Sequence, residues 1–282
     1  MIYLYILGKF LVSHLPRSVC YCIASFIADI KFYFFQKDKR TLIFNLYPIL
    51  KDKKISKQYA RRALRNFAYY LVDFLKLKKL DKQFITQYFR MEGLHYFKEL
   101  VSDNKKIISL TAHLGNYELA ATVLSYFGYR KICGIALPHQ DRRVNKFFNQ
   151  QRNLNEVEVI STGISIKKCF KALEDRKLIG LLGDRDFSGK GKVATMFGRK
   201  CLLPRGTPFI AHKTESYILP CFLVREKNRK YYRLIFEGAI SPYDNGRKKS
   251  EDEISQACRG VLEKYISLYP DQWYMFEKFW IG

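Results

Sequence analysis

An α/β fold, with a mostly parallel central sheet flanked by helices and a helical N-terminal region, is predicted by three observations. From residue 105 onward, short apolar runs alternate with amphipathic stretches. Before residue 105 the pattern is helical almost throughout. The first 36 residues are apolar and aromatic but repeatedly interrupted by polar and charged residues. Strand alternating with helix implies parallel strands with helices on both faces. With 282 residues, 48% of them hydrophobic and 16% aromatic, the chain can bury a sizeable core, which argues against disorder. No linker splits the α/β part. The expected organisation is membrane-associating helices over residues 1–36 and a single α/β domain over 37–282, with a helical lead-in over 37–104.

The chain opens MIYLYILGKFLVSHLPRSVCYCIASFIADIKFYFF. Lys9, His14, Pro16, Arg17, Asp29 and Lys31 break it, so no run reaches the 18 or more apolar residues of a spanning helix. It also lacks a basic start and a small-residue cleavage site, so a signal peptide is not expected. Pro16 fits the first turn of a second helix. Interleaved Tyr, Phe and Lys/Arg favour two helices dipping into a membrane interface. The alternative is a buried helix pair of a soluble protein.

Next comes QYARRALRNFAYYLVDFLKL (58–77), with Ala60, Leu64, Phe67, Leu71, Phe74 and Leu75 at helical spacing. The Lys-rich connectors KDKK (51–54) and KLKKLDK (76–82) are solvated links that would also attract anionic headgroups at a membrane. Strands are expected in KKIISLTA (105–112), RKICGIAL (130–137), EVEVIS (156–161) and KLIGLLG (177–183), with helices over 117–127, 141–154 and 164–174 between them. YILPCFLVRE (217–226) and KYYRLIFEG (230–238) read as a hairpin joined by a short KNR stretch, and a last helix runs over 251–268.

Fifty Lys and Arg against 26 acids give a net charge of +24, which calls for a negatively charged partner: nucleic acid, an anionic membrane surface or a phosphorylated substrate. The seven cysteines form no C-x-x-C pair and no zinc spacing with histidine. Cys133, Cys169 and Cys221 lie in apolar runs as small hydrophobes, and the scattered, odd set fits a reducing compartment. No disulfide, metal site or cofactor is expected.

The chemistry centres on TAHLGNYELA (111–120). Functional groups gather at the carboxyl ends of strands in open α/β sheets, and His113 ends one. Gly115 frees the turn, Asn116 is a good helix N-cap, and Glu118 falls in the first helical turn, where the dipole favours a carboxylate. On one continuous helix, His113 and Glu118 would face apart, since five residues turn it about 500°. With His113 in the turn, the chain can fold back and bring the two together as a base and its orienter. Spacing alone leaves a second reading, a surface turn with a capping Asn and a dipole-friendly Glu.

H-L-G-N-Y-E resembles the H-x4-D/E signature of the glycerolipid acyltransferase superfamily and, in fuller form, the H-x-G-N-[WY]-E-L of the late lipid A biosynthesis (lauroyl/myristoyl) acyltransferase family. The resemblance extends along the chain, through IFNLYPIL (43–50), MEGLHYF (91–97), DRRVNKFFNQQRN (141–153) with Arg152 at a recurrent arginine, and MFGRKCLLPRGTP (196–208). LLGDRDF (181–187) resembles a D-Q-D segment with Arg185 in place of Gln, and QWYMFEKFW (272–280) resembles a terminal Q-W-x-W-x-H-x-R-W that here lacks its His and Arg.

The resemblance implies a glycerolipid acyltransferase-like fold at the cytoplasmic face of a bacterial inner membrane. It implies transfer of a fatty acyl chain from acyl carrier protein, or less often coenzyme A, to a hydroxyl of a lipid A precursor in lipopolysaccharide biosynthesis. His113 would be the general base and Glu118 its orienter, with direct attack on the thioester. Arg152 and the backbone near Gly115 are candidate oxyanion donors.

A second constellation follows in GDRDFSGKGKVATMFGRKCLLPRGTPFIAHKT (183–214). Lys190, Lys192, Arg199, Lys200, Arg205 and Lys213 occur with no acid between Asp186 and Glu215, and glycines 189, 191, 198 and 206 let backbone N–H groups approach an anion. This suits a phosphorylated glycolipid, a phospholipid headgroup or the phosphopantetheine arm of the donor; a flexible basic loop is the other reading. Asp184 and Asp186 sit at the same sheet edge and would position an arginine or the acceptor, or cap a turn. His14, His95, His139 and His212 read as structural. No G-x-S-x-G, G-x-G-x-x-G or Walker A sequence occurs. Two alternatives remain at this level: an acyltransferase for another glycolipid or lysophospholipid, and a basic nucleic-acid- or membrane-binding protein without catalysis. Against nucleic acid, the charge is dispersed and no RNP, KH or zinc-finger pattern appears.

Overall fold

The computed structural model describes residues 2–281 except 77–81, 128, 155, 162–164, 188 and 228–230. Four helices come first: α1 (Ile2–His14), α2 (Arg17–Phe34), α3 (Gln36–Leu50) and α4 (Lys53–Lys76). Pro16 stands just before α2, and in α4 Ala60, Leu64, Phe74 and Leu75 are buried as their spacing predicts. Then follow α5 (Lys82–Tyr88), β1 (Phe89–Glu92), α6 (Leu94–Ser102), β2 (Ile107–Thr111), α7 (Tyr117–Tyr126), β3 (Ile132–Ala136), α8 (Arg142–Asn153), β4 (Val157–Ser161), α9 (Ser165–Glu174) and β5 (Leu178–Leu182). The remainder is β6 (Lys192–Met196), β7 (Arg199–Leu203), α10 (Gly206–Thr214), β8 (Tyr217–Arg225), β9 (Tyr232–Phe236), β10 (Tyr243–Asp244), β11 (Arg247–Lys248) and α11 (Glu251–Leu268).

The seven-stranded sheet has the order β1-β9-β8-β2-β5-β3-β4. Strands β8, β2, β5, β3 and β4 run parallel, while β9 pairs antiparallel to β8, forming the expected hairpin, and β1 pairs parallel to β9. Both faces are covered, so the central strands are apolar on both sides. In β8, Ile218, Phe222 and Val224 enter one core, and Leu219, Cys221 and Leu223 enter the other. The period of two divides one strand between two cores.

Two expectations need correction. The lead-in over 37–104 is not wholly helical: Phe89–Glu92 joins the sheet as an edge strand. The basic segment after residue 190 is not an open loop but an antiparallel hairpin, β6 with β7, followed by α10. Most of the KNR turn and of the KLKKLDK connector lie outside the described residues.

Three of the charges that interrupt the N-terminal apolar run, Lys9, Arg17 and Asp29, reach inward, while Lys31 pairs with Asp38 at the surface. Asp29 accepts from Arg61 (Nη2–Oδ2 2.7 Å) and is forked by Arg65 as well, both on α4. Lys9 donates to Gln151 on α8 at 2.6 Å. Arg17 reaches Asp73 on α4 at 3.2 Å, and Tyr21, Tyr232 and Arg225 donate to the same carboxylate. Burial pushes Asp73 up, but Arg225, Arg17 and the two phenols outweigh it and hold the carboxyl below its usual range. The large apolar residues do the opposite: Tyr3, Leu4, Phe10, Phe26, Ile27 and Phe34 are each more than half exposed. Among the described residues no helix is long and apolar enough to cross a membrane; α2 and α3 meet that test only as a pair bent by 90°. All seven cysteines are free; Cys22 is exposed and the other six are buried.

Candidate active site

The site is set by strand register. β2 and β5 are neighbours, with Thr111 paired to Leu182, so the chains leave the carboxyl edge of the sheet side by side. Two residues further along each lie His113 and Asp184. The His113 backbone N–H donates to Asp184 Oδ2 at 3.0 Å, and its ring Nδ1 lies 2.9 Å from Asp184 Oδ1. The Trp273 indole N–H donates to Oδ2 at 2.9 Å. Asp184 is fully buried, whereas the His113 side chain keeps 17% of its surface exposed. Burial alone would raise the Asp184 carboxyl, but the facing imidazole and the N–H donors win and hold it below its usual range.

The turn itself is clamped from two sides. Gly115 N–H donates to the Gln272 carbonyl and Asn116 N–H to the Leu223 carbonyl, each at 2.8 Å, while Tyr274 N–H donates to the His113 carbonyl at 2.7 Å. Gly115 has φ +64°, and a Cβ there would stand 2.0 Å from the Leu223 oxygen, so both conformation and space require glycine. Asn116 caps α7 as expected, its Oδ1 accepting from Leu119 N–H at 3.1 Å. Its Nδ2 and the Thr111 hydroxyl are buried without a partner among the described residues.

The carboxylate that meets the His113 ring is thus Asp184 and not Glu118. Glu118 does lie in the first turn of α7, but it pairs with Arg152 of α8, whose Nε stands 3.0 Å from Oε2. Arg152 also donates to Asn149 at 3.2 Å. Burial would lower the Arg152 guanidinium, yet the Glu118 carboxylate keeps it firmly charged. The pair is nearly enclosed, with 13% and 14% side-chain exposure. Glu118 therefore braces α7 against α8.

Of the remaining predicted residues, Asp186 accepts from the Gly191 N–H at 3.0 Å. Lys192 pairs with Asp252, and Arg205 with Glu251 at 3.3 Å, so two of the basic residues meet the acidic first turn of α11. Lys190 and Arg199 are exposed. His14 and His212 bond backbone carbonyls and His95 lies tilted against Tyr96, which fits their structural reading. His139 lies against Phe148, its imidazole pushed down by burial and by Arg152.

An aromatic wall that no local motif announces stands beside His113. The Tyr117 ring lies 5.5 Å from the His113 ring and the Phe187 ring 6.0 Å away, both edge-on. Tyr70 stacks on Tyr117 at 5.2 Å. Burial and the Glu118 carboxylate push the Tyr117 phenol well above its usual value, so it stays protonated. Trp273 carries a sequence signal only through its place in the QWYMFEKFW segment. Among the described residues no group of His, Cys, Asp or Glu could hold a metal.

The arrangement presents an imidazole whose Nδ1 is occupied by a buried carboxylate, leaving Nε2 to take a proton. A family model described as bacterial lipid A biosynthesis acyltransferase matches residues 1–281. No curated protein matches the chain.

Proposed function

The chain belongs to the bacterial lipid A biosynthesis acyltransferase family, and from that premise we propose that it moves a fatty acyl chain from an acyl carrier protein thioester to a hydroxyl of a lipid A precursor, with His113 as general base. Membership makes it an acyltransferase of lipid A and lipopolysaccharide biosynthesis. In the proposed reaction His113 Nε2 takes the proton of the acceptor hydroxyl as its oxygen attacks the thioester carbonyl. Asp184 accepts a hydrogen bond from Nδ1–H, fixes the tautomer and stabilises the imidazolium that forms. The tetrahedral oxyanion then collapses, the C–S bond breaks, and the departing thiolate takes its proton from His113. No acyl-enzyme forms. The observation that carries this reading is the buried Asp184 carboxylate on the His113 ring.

The outward apolar faces of α1 and α2 support association with the inner membrane at its cytoplasmic face, with the two helices lying in the interface. The basic hairpin β6–β7, with Lys190, Lys192, Arg199 and Arg205 on and around it, is the proposed landing face for the anionic substrates. Coenzyme A is the alternative donor. The test is one assay: purified protein, labelled acyl carrier protein and coenzyme A thioesters, and a panel of lipid acceptors, with products identified by mass. Acylated lipid A precursor is the expected product. Turnover only with lysophospholipids, or none with any pair, would remove the reading.

A further inference from the structure

Arg185 follows Asp184 directly and ion-pairs with Glu277 of the C-terminal segment. These are two of the positions at which the sequence departs from the pattern it otherwise resembles, Arg in place of Gln and Glu in place of His. The fold brings the two departures into contact. Neither partner is left to chance. The Glu277 backbone is held by Asn45 of α3, which is fully buried: its Nδ2 donates to the carbonyls of Glu277 at 2.7 Å and Met275 at 2.9 Å, and its Oδ1 accepts from Phe279 N–H at 3.0 Å. The Arg185 guanidinium lies 4.3 Å over the Phe187 ring, and that ring is one of the two edge-on to His113.

Exposure separates the partners. The Arg185 side chain is 24% exposed and that of Glu277 67%. A solvent-facing ion pair of this kind contributes little to stability. It does keep a guanidinium, a planar fork suited to phosphate, oriented one ring away from the base. The wet carboxylate can be exchanged for another anion without disturbing Asn45 or the backbone.

We propose that Arg185, with Glu277 as its exchangeable counter-ion, receives a phosphate group of a bound substrate beside His113. This rests on the acyltransferase reading and deepens it. The phosphate can come from the acceptor glycolipid or from the phosphopantetheine arm of the donor, and the test separates them.

Steady-state kinetics of wild type, Arg185→Gln, Arg185→Lys and Glu277→Gln are compared in two arms. One arm uses the glycolipid acceptor with and without its phosphates; the other uses acyl-phosphopantetheine and acyl-pantetheine thioesters. Arg185→Gln should raise KM about tenfold for the phosphorylated member of one arm, the size of one charge-assisted contact, and leave its dephosphorylated counterpart unchanged. Arg185→Lys should recover part of that loss, and Glu277→Gln should lower the same KM. Equal effects on phosphorylated and dephosphorylated members in both arms overturn the proposal. Equilibrium binding of the same four molecules to His113→Ala protein, with and without Arg185→Gln, gives a readout independent of turnover. If wild type transfers nothing, the acyltransferase reading falls; a phosphate-dependent loss of binding still supports the role of Arg185, and identical binding rejects it.

Discussion

His113 and Asp184 occupy equivalent places beyond two paired strands, each two residues past the register partners Thr111 and Leu182, and their side chains meet at 2.9 Å. Adjacent parallel strands deliver equivalent positions to the same point above the sheet, so this contact needs no long loop to make it.

His113→Ala should therefore lower kcat by about 10²–10⁴-fold, the usual range for a general base, with the fold intact by circular dichroism. Retention of more than about a tenth of the rate would remove His113 as the base.

Asp184→Asn should lower kcat nearly as far, because an amide no longer stabilises the imidazolium and can present the wrong hydrogen-bonding edge to Nδ1. Glu118→Gln should be milder, and the double variant with Arg152→Gln should be no worse than either single change, since the two residues act as one brace. If Glu118→Gln proved as damaging as His113→Ala while Asp184→Asn stayed active, Glu118 would have to be restored as the orienter.

Gly115→Ala should destabilise the protein by about 2–4 kcal/mol, from left-handed backbone strain together with the clash on the Leu223 carbonyl. A thermal melt within about 1 °C of wild type, where a loss of this size should lower Tm by roughly 3–8 °C in a chain of this length, would show that the turn can re-form another way.

Acid should unfold the chain through Asp73 and Asp184. Both carboxyls are held below their usual value of 3.8 in the folded state. Protons therefore bind the unfolded state more readily. The stabilisation is fully present above about pH 4 and is lost as pH falls through the depressed folded values. Urea titrations between about pH 5 and pH 2.5 should show stability falling with acid. Asp73→Asn should be less stable at neutral pH and flatter across that window; a parallel curve for variant and wild type would exclude Asp73 as a contributor.

Changing Leu4, Leu7, Phe10, Phe26 and Ile27 to polar residues should move the protein from the membrane to the soluble fraction without unfolding it, because all five are exposed. Deleting residues 2–36 is a poorer test. It would strip Arg17 and Tyr21 from Asp73 and leave a buried carboxylate with fewer partners. An unchanged membrane fraction in the five-residue variant would dismiss these faces as the anchor.

The parallel strands β2, β3, β4 and β5 were legible because each is a short apolar run with punctuation on both sides. β1 was not, since Phe89–Glu92 spends two of its four residues on charged side chains and is a strand only through pairing with β9. β6 and β7 were hidden by Gly and Lys, which say loop locally while cross-strand pairing says hairpin. At the site, His113, Asn116 and Glu118 were readable from local turn and cap chemistry. The partner of His113 was not, because it is fixed by the register of strands 71 residues apart in sequence. Asp184 was visible as a residue at the right edge, but its local context pointed to an arginine, the acceptor or a turn rather than to His113. The basic run looked unopposed for a similar reason: Glu251 and Asp252, which meet Arg205 and Lys192, arrive from a helix far along the chain.

The distribution of thiols gives the protein a native attachment point for a reporter. Burial pushes Cys133, Cys201, Cys221 and Cys258 up to about 12 and Cys169 to about 11, so these five carry almost no thiolate at neutral pH. Cys20 is shielded inside the fold, and Cys22, on α2, is the one that faces out. A maleimide dye should therefore tag wild-type protein at a single position, with no engineered cysteine. Its emission colour with and without vesicles would report directly how α2 meets the lipid.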